Sequence, residues 1–335
     1  MITLEHVTLP AMEQAAAEAG IVLPIEQTEA WGRYQAKVPG RHPWGAYLIR
    51  RDGDLVAVIS LIDYETHGYH YLRSLHGPVW KTKPTQDEER EVIDAMVKAV
   101  RSHDSKVAFL RVDTWFDEGY YRVLSTVPYD QTVIVDLTGG DDKILERMVA
   151  RGRQNVRKAL RESPATCADE TEQASKSFDE YYGVMVDTGK RDGFTPAPKQ
   201  DYEDMIQELG PEHCRLFVSR IDGKVVNWCL ITLNDNRAVY YYGCMSTAVR
   251  RLRVPDKMFY HIFCTLGAQG VESLDMMGIG SDFAPSLKGL NQFKTKFARE
   301  ITPVAAGHDI PVKRGFYSLL RFIQKLRKGS NADKH

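Results

Sequence analysis

The densest chemistry in the sequence is cationic. Between residues 142 and 162 stand Arg147, Arg151, Arg153, Arg157, Lys158 and Arg161, and a segment more cationic than the whole chain would predict suits the phosphates of tRNA or of a nucleotide-sugar carrier. The same row fits a solvated helix face paired to nearby Asp and Glu. An aromatic set follows in AVYYYGCMS, where strand alternation would put Tyr240 and Tyr242 on one face and Tyr241 on the other. That arrangement suits lining a cleft, or half-buried aromatic packing. Groups for proton abstraction are scarce: His67 and His70 fall in an expected hairpin, where histidines are commonly structural. The cysteines, Cys167, Cys214, Cys229, Cys244 and Cys264, lack C-x-x-C spacing, so they read as reduced thiols and offer no metal site.

The elements that must hold these residues come in two copies. Residues 45–77 read as strand, Arg-Asp-Gly-Asp turn, strand, polar interruption and aromatic strand, and residues 214–246 repeat the plan, with Asp52 and Asp222 half a chain length apart. Each hairpin is followed by a helix, over 86–103 and 255–270, and then by a strand, KVAFLRVDTWF or VESLDMMGIG. That order predicts an α/β chain with a mixed sheet in each of two tandem acetyltransferase-like (GNAT-type) domains. The expected first domain is 1–137 plus a C-terminal helical stretch, 308–335, and the second is 138–307. Between the copies a strand is expected over 132–137, then helices over 142–162 and 171–188 and a Pro-stiffened loop, GFTPAPKQDY. An acetyl-CoA enzyme of this layout needs a glycine-rich pyrophosphate loop, but the equivalent segments are Arg250-Arg251-Leu252-Arg253-Val254-Pro255 and Thr82-Lys83-Pro84-Thr85. No cofactor is expected.

At 335 residues the chain suits two cores, and 43% hydrophobic and 27% charged residues with a formal charge of -1 argue against disorder and against a uniformly basic coat. Any RNA contact is therefore a local patch. The start lacks a basic region followed by an apolar one, and no run of about 18 apolar residues occurs, so a cytoplasmic protein is expected, and a monomer is expected besides. The basic amphipathic segment near the C-terminus could touch anionic lipid peripherally through Lys313, Arg314, Arg321, Lys325, Arg327 and Lys328.

Four stretches taken together, TVIVDLT with RGRQNVRKAL, AVYYYGCMS, LDMMGIG and GLNQFKTKFAREITPVAAG, resemble the Fem family of non-ribosomal peptidyltransferases. The chain has no sustained heptads in the second domain, so it is similar to the short type without a coiled-coil arm. The resemblance implies transfer of an amino acid from aminoacyl-tRNA to the stem-peptide amine of a peptidoglycan precursor, UDP-MurNAc-pentapeptide or a lipid-linked form. It also assigns roles. Phe293 and Lys294 match an F-K pair whose lysine stabilises the tetrahedral intermediate, and Asp113 in LRVDTWF matches an acid of the first domain. Tyr240 and Tyr242 match a Y-x-Y that reaches the precursor, as do Thr195 and Tyr202, although Ala197 replaces the arginine between those two and Lys199 is its candidate substitute. Lys37, Arg41 and Trp44 are the candidates to grip the nucleotide part, and Arg151, Arg153, Arg157 and Lys158 to contact tRNA phosphates. The alternatives are an acyltransferase acting on another amine and a tRNA- or nucleotide-binding relative without activity.

Overall fold

A computed structural model describes residues 1–117, 119–124 and 127–332, with side chains through residue 326; Arg327 and Lys328 lie outside the described side chains. The chain divides into two compact units, residues 1–129 together with 304 onward, and residues 130–303.

The first unit opens with β1 (Ile2–Val7), α1 (Leu9–Glu18) and α2 (Glu29–Gln35), then the meander β2 (Arg41–Arg51), β3 (Asp54–Thr66) and β4 (Tyr69–Arg73). Short β5 (Val79–Trp80) pairs with β3, α3 (Gln86–His103) crosses the sheet, β6 (Val107–Thr114) returns parallel to β4, and β7 (Tyr121–Arg122) follows. The second unit starts with β8 (Gln131–Thr132), β9 (Ile134–Asp136), α4 (Asp141–Arg147), α5 (Ala150–Glu162) and β10 (Thr166–Asp169). After α6 (Thr171–Lys176), α7 (Asp179–Asp192) and α8 (Lys199–His213) comes a second meander, β11 (Cys214–Ile221), β12 (Lys224–Asn234) and β13 (Arg237–Met245). Helix α9 (Val254–Ala268) leads to β14 (Ser273–Asp275), parallel to β13, and α10 (Lys288–Lys294) and β15 (Thr302–Pro303) end the unit. Strand β16 (Ala306–Pro311) and α11 (Arg314–Ala332) belong to the first unit.

The six-strand order β10-β11-β12-β13-β14-β9 of the second unit matches β1-β2-β3-β4-β6-β16 of the first, to which the first unit adds β7 at the edge and β5 beside β3. Both echoed turns are two-residue hairpin loops with both residues left-handed, φ +52° and +96° at Asp52-Gly53 and +51° and +77° at Asp222-Gly223, the geometry that Asp-Gly favours. Each crossover helix buries one stripe. Val92, Ile93, Met96 and Val100 of α3 pack on Ile59, Leu72 and Leu110, and Met258, Phe259, Ile262, Phe263 and Leu266 of α9 pack on Phe217, Ile231 and Leu274. Thr85 and Glu88 form a capping box at the start of α3. Buried Glu89 accepts from the backbone N–H of Trp115 and Phe116 and so fastens α3 to the end of β6. Among the described residues no helix is long and apolar enough to cross a membrane.

Several expected boundaries move. The division falls ahead of β9 rather than near Leu137, because Val135 pairs with Leu274 in the sheet of the second unit. The helix expected over 142–162 is two: Met148 and Val149 are extended, and the Arg153 guanidinium turns back onto the carbonyls of Glu146 and Met148, capping the break. Likewise 171–188 is split at Ser177 and Phe178, and α8 begins at Lys199, so the loop is confined to residues 193–198. The C-terminal segment is not helix alone. Strand β16 precedes α11 and is held to β6 by the buried Arg111–Asp309 pair, 2.6 Å from Nε to Oδ1.

Candidate active site

In the second unit the parallel pairing of β13 with β14 runs from Arg237↔Ser273 to Val239↔Asp275 and stops. Beyond it the backbone of residues 276–279 turns to β8 and β9, with Met276 N–H donating to Val133 O and Ile279 N–H to Gln131 O. Asp275 shapes the turn: its Oδ1 accepts from Met277 N–H at 2.7 Å and from the Thr132 hydroxyl, and Met277 takes φ +58°. The carbonyls of Met277 and Gly278 then face Lys294, whose Nζ donates to them at 3.2 and 2.9 Å.

Lys294 is held there from its own helix. The Asn291 side chain, one turn earlier on α10, accepts from Gly280 N–H at 2.6 Å and donates to Gly280 O at 2.8 Å. A Cβ at Gly280 would lie 2.2 Å from the Lys288 nitrogen, so only glycine lets α10 approach this closely. Burial pushes the Lys294 ammonium down to about 8, with Asp275 opposing the shift. Two of its three N–H groups are committed to carbonyls, which leaves one for an acceptor oxygen. Lys296, two residues on, does a different job. It pairs with Asp256 of α9 at 2.5 Å and lies over the Phe293 ring at 4.1 Å. Phe293 packs on Phe259 and Phe297 at 5.3 and 5.4 Å, so it builds the wall behind Lys294.

Tyr240 and Tyr242 are separated. The register of β13 on β12 shifts between Leu230 and Ile231, so Tyr242 pairs with Leu230, Tyr240 pairs with Ile231, and Tyr241 is the extra residue of a bulge. Neighbouring positions of β12 face opposite ways, and the two tyrosines follow them. Tyr240 lies on the α9 face, 4.9 Å from Phe259, with Lys294 Nζ 6.0 Å from its ring centre. Tyr242 meets Tyr202 of α8 at 5.2 Å on the other face. Tyr202 is buried and stacks on Phe178, and burial raises its hydroxyl far above the ordinary tyrosine range. Thr195 is exposed in the 193–198 loop. Lys199, the candidate replacement for a missing arginine, is engaged by Asp179 at 2.5 Å and Glu203 at 3.2 Å.

The cationic row divides by role. Gly152, Val156 and Ala159 form the buried face of α5, and a Cβ at Gly152 would fall 2.0 Å from the Lys296 carbonyl oxygen, so this glycine brings α5 against the lysine segment. Arg151 and Arg157 are exposed, and Lys158 is 3.7 Å from Glu162. With the Gln292 amide turned so that its oxygen faces Arg151, the guanidinium donates to it at 2.9 Å. Arg153 is occupied as the cap described above and does not share the exposed face.

In the first unit Arg41 stacks on Tyr64 at 4.8 Å and donates to Gln35 at 3.1 Å. Tyr64 belongs to the cluster with Phe109 and Tyr317, whereas Trp44 packs with Tyr47, His6 and His103 on the α3 face, so these two candidates are not brought together. Lys37 is exposed between α2 and β2. Asp113 is half-buried on β6 and accepts from His76 N–H at 2.9 Å, and burial lifts its carboxyl above the usual aspartate range against the opposing charges of His76 and Arg73. The His76 ring is 3.4 Å from buried Glu26. Asn291, Asp275, Lys296, Glu26 and His76 escape a sequence reading, although Asn291 stands three residues before Lys294 within GLNQFKTKF, one helical turn away.

Residues 150–294 match the acetyltransferase (GNAT) domain family. No curated protein matches the chain. Among solved structures the fold is that of FemX, at a TM-score of 0.73 and 16% identity over 95% of this chain and 99% of that one. The C-terminal domain of a putative lysylphosphatidylglycerol synthetase from Agrobacterium fabrum is also similar, at TM-score 0.55 and 16% identity, covering 90% of this chain and 92% of that one. A tandem GNAT protein from the clavulanic acid biosynthesis pathway gives 0.53 at 10% identity, covering 92% and 97%. Two tandem acetyltransferase-like units are thus the architecture of this chain.

Proposed function

We propose that the protein is an aminoacyltransferase that moves an amino acid from aminoacyl-tRNA to the side-chain amine of a peptidoglycan stem peptide, with UDP-MurNAc-pentapeptide as acceptor. The observation that carries this reading is Lys294, a buried ammonium fixed by two backbone carbonyls where β13 and β14 part, with one N–H uncommitted. The FemX-like fold and the motifs that resemble the Fem family support the choice of donor and acceptor.

The acceptor amine attacks the carbonyl carbon of the aminoacyl ester, a C–N bond forms, and the carbonyl oxygen becomes an oxyanion. The free N–H of Lys294 donates to that oxygen, a contact worth roughly 3–4 kcal/mol on the scale of one oxyanion-hole donor. Collapse breaks the ester C–O bond, and the ribose oxygen leaves with the proton that the amine gives up. Burial pushes Lys294 down to about 8 and the Asp275 charge opposes that shift, so the ammonium is mostly charged at neutral pH. Arg151, Arg157 and Lys158 are the proposed phosphate contacts of the tRNA. On the acceptor side the reading uses Tyr240 and Thr195 within the second unit; within the first unit, taken by itself, Lys37 and Arg41 stay candidates for the nucleotide part of the precursor and Asp113 a candidate acid. Tyr242, Tyr202 and Phe293 support it by packing, and such a reaction belongs in the cytoplasm.

The test is transfer of a radiolabelled amino acid from a mixed aminoacyl-tRNA pool to UDP-MurNAc-pentapeptide. Lys294→Ala should lower the rate by about 10²- to 10³-fold. The match to the acetyltransferase family favours one other reading, acylation of a different amine from acetyl-CoA. Acetyl-CoA turnover with no aminoacyl transfer to soluble or lipid-linked precursor would replace the first reading with that one.

A further inference from the structure

Helix α11 carries two faces with different fates. One is docked: Tyr317 is buried, donates to Asp309 Oδ2 at 2.9 Å and meets Phe109 edge-on, while Gln324 donates to Leu124 O. The opposite face is apolar and open to solvent, with Leu319 51%, Phe322 59%, Ile323 38% and Leu326 58% exposed. These positions recur at three- and four-residue spacing, so they form one stripe along the helix. Beside the stripe, seven and four residues apart, run the exposed cations Arg314, Arg321 and Lys325, of which Arg321 also lies over the Tyr121 ring at 4.5 Å. From Pro311 to Ala332 the sequence contains no Asp or Glu.

We propose that this helix lies in the interface of an anionic phospholipid bilayer, with Leu319, Phe322, Ile323 and Leu326 at the acyl boundary and Arg314, Arg321 and Lys325 against lipid phosphates. The charge pattern selects this occupant. A second copy of the helix would set cation against cation with no acidic residue to balance them, and nucleic acid would answer the cations but leave the apolar stripe in water. An anionic bilayer satisfies both halves at once. The binding is independent of the acyl acceptor proposed above, so either can fail without the other.

Flotation of the full chain with vesicles tests the assignment. The chain should float with phosphatidylcholine vesicles containing about a third phosphatidylglycerol and stay behind with phosphatidylcholine alone. Each juxtamembrane cation contributes about fivefold, so Arg314→Gln with Lys325→Gln should weaken partitioning about 25-fold. Phe322→Ser with Leu326→Ser should reduce it to background, and these positions are exposed, so the fold is spared. Several results would overturn the proposal: no flotation at low salt, equal flotation with both vesicle types, a dimer in solution that Phe322→Ser with Leu326→Ser dissolves, or RNA binding lost in the double-Gln variant without any vesicle binding.

Discussion

Replacing Lys294 by methionine should remove a cost to folding as well as an activity, and pH separates the two. The ammonium is 6% exposed and its pKa falls from 10.5 to about 8 on folding. The unfolded chain therefore binds a proton more tightly than the folded one, and stability must rise with pH between about 8 and 10.5. Linkage puts the cost of keeping this lysine charged at about 3 kcal/mol at pH 7, falling to about 1 kcal/mol at pH 10. Methionine fills a similar volume and has no such cost, while the other titrating groups are shared and cancel. In urea unfolding, the stability of the natural protein relative to Lys294→Met should therefore improve by about 2 kcal/mol from pH 7 to pH 10. A difference that stays constant within about 0.5 kcal/mol over that range, or that moves the other way, would refute the argument that Lys294 is held charged against burial.

Two further substitutions test the supports of the site. Gly152→Ala places a Cβ 2.0 Å from the Lys296 carbonyl and should destabilise the second unit by about 1–3 kcal/mol in urea titration while reducing aminoacyl transfer, because α5 must withdraw from the lysine segment. Tyr240→Ala and Tyr242→Ala should diverge because the bulge sends the two rings to opposite faces. The first should lower transfer more than thermal stability, and the second, which takes an aromatic partner from Tyr202, should do the reverse.

The duplicated plan is legible because Asp-Gly turns dictate hairpin geometry locally and because α3 and α9 each show a continuous apolar stripe. What was hidden depends on distant contacts. Nothing in LERMVARG breaks a helical pattern, and the break at Met148 and Val149 is stabilised by Arg153 and by the approach of Gly152 to residue 296. The bulge at Tyr241 cannot be seen in YYYG, where simple alternation reads equally well. Strand β16 is concealed by AGHDIP, whose Gly, Asp and Pro have low strand propensity; Asp309 sits there because Arg111 waits for it on β6. The motif singles out Lys294 as a candidate, but the carbonyls that orient it belong to a turn set by Asp275, which no motif announces.

The way the chain re-enters its first unit bears on how it is made. Residues 130–303 are continuous and hold every strand of their own sheet. The first unit must wait: until residues 306–311 leave the ribosome, β6 is an open sheet edge and the Arg111 guanidinium lacks its carboxylate. The half of the protein synthesised second is therefore the half that can finish folding first, and the N-terminal half is the aggregation-prone partner for the whole interval of its synthesis.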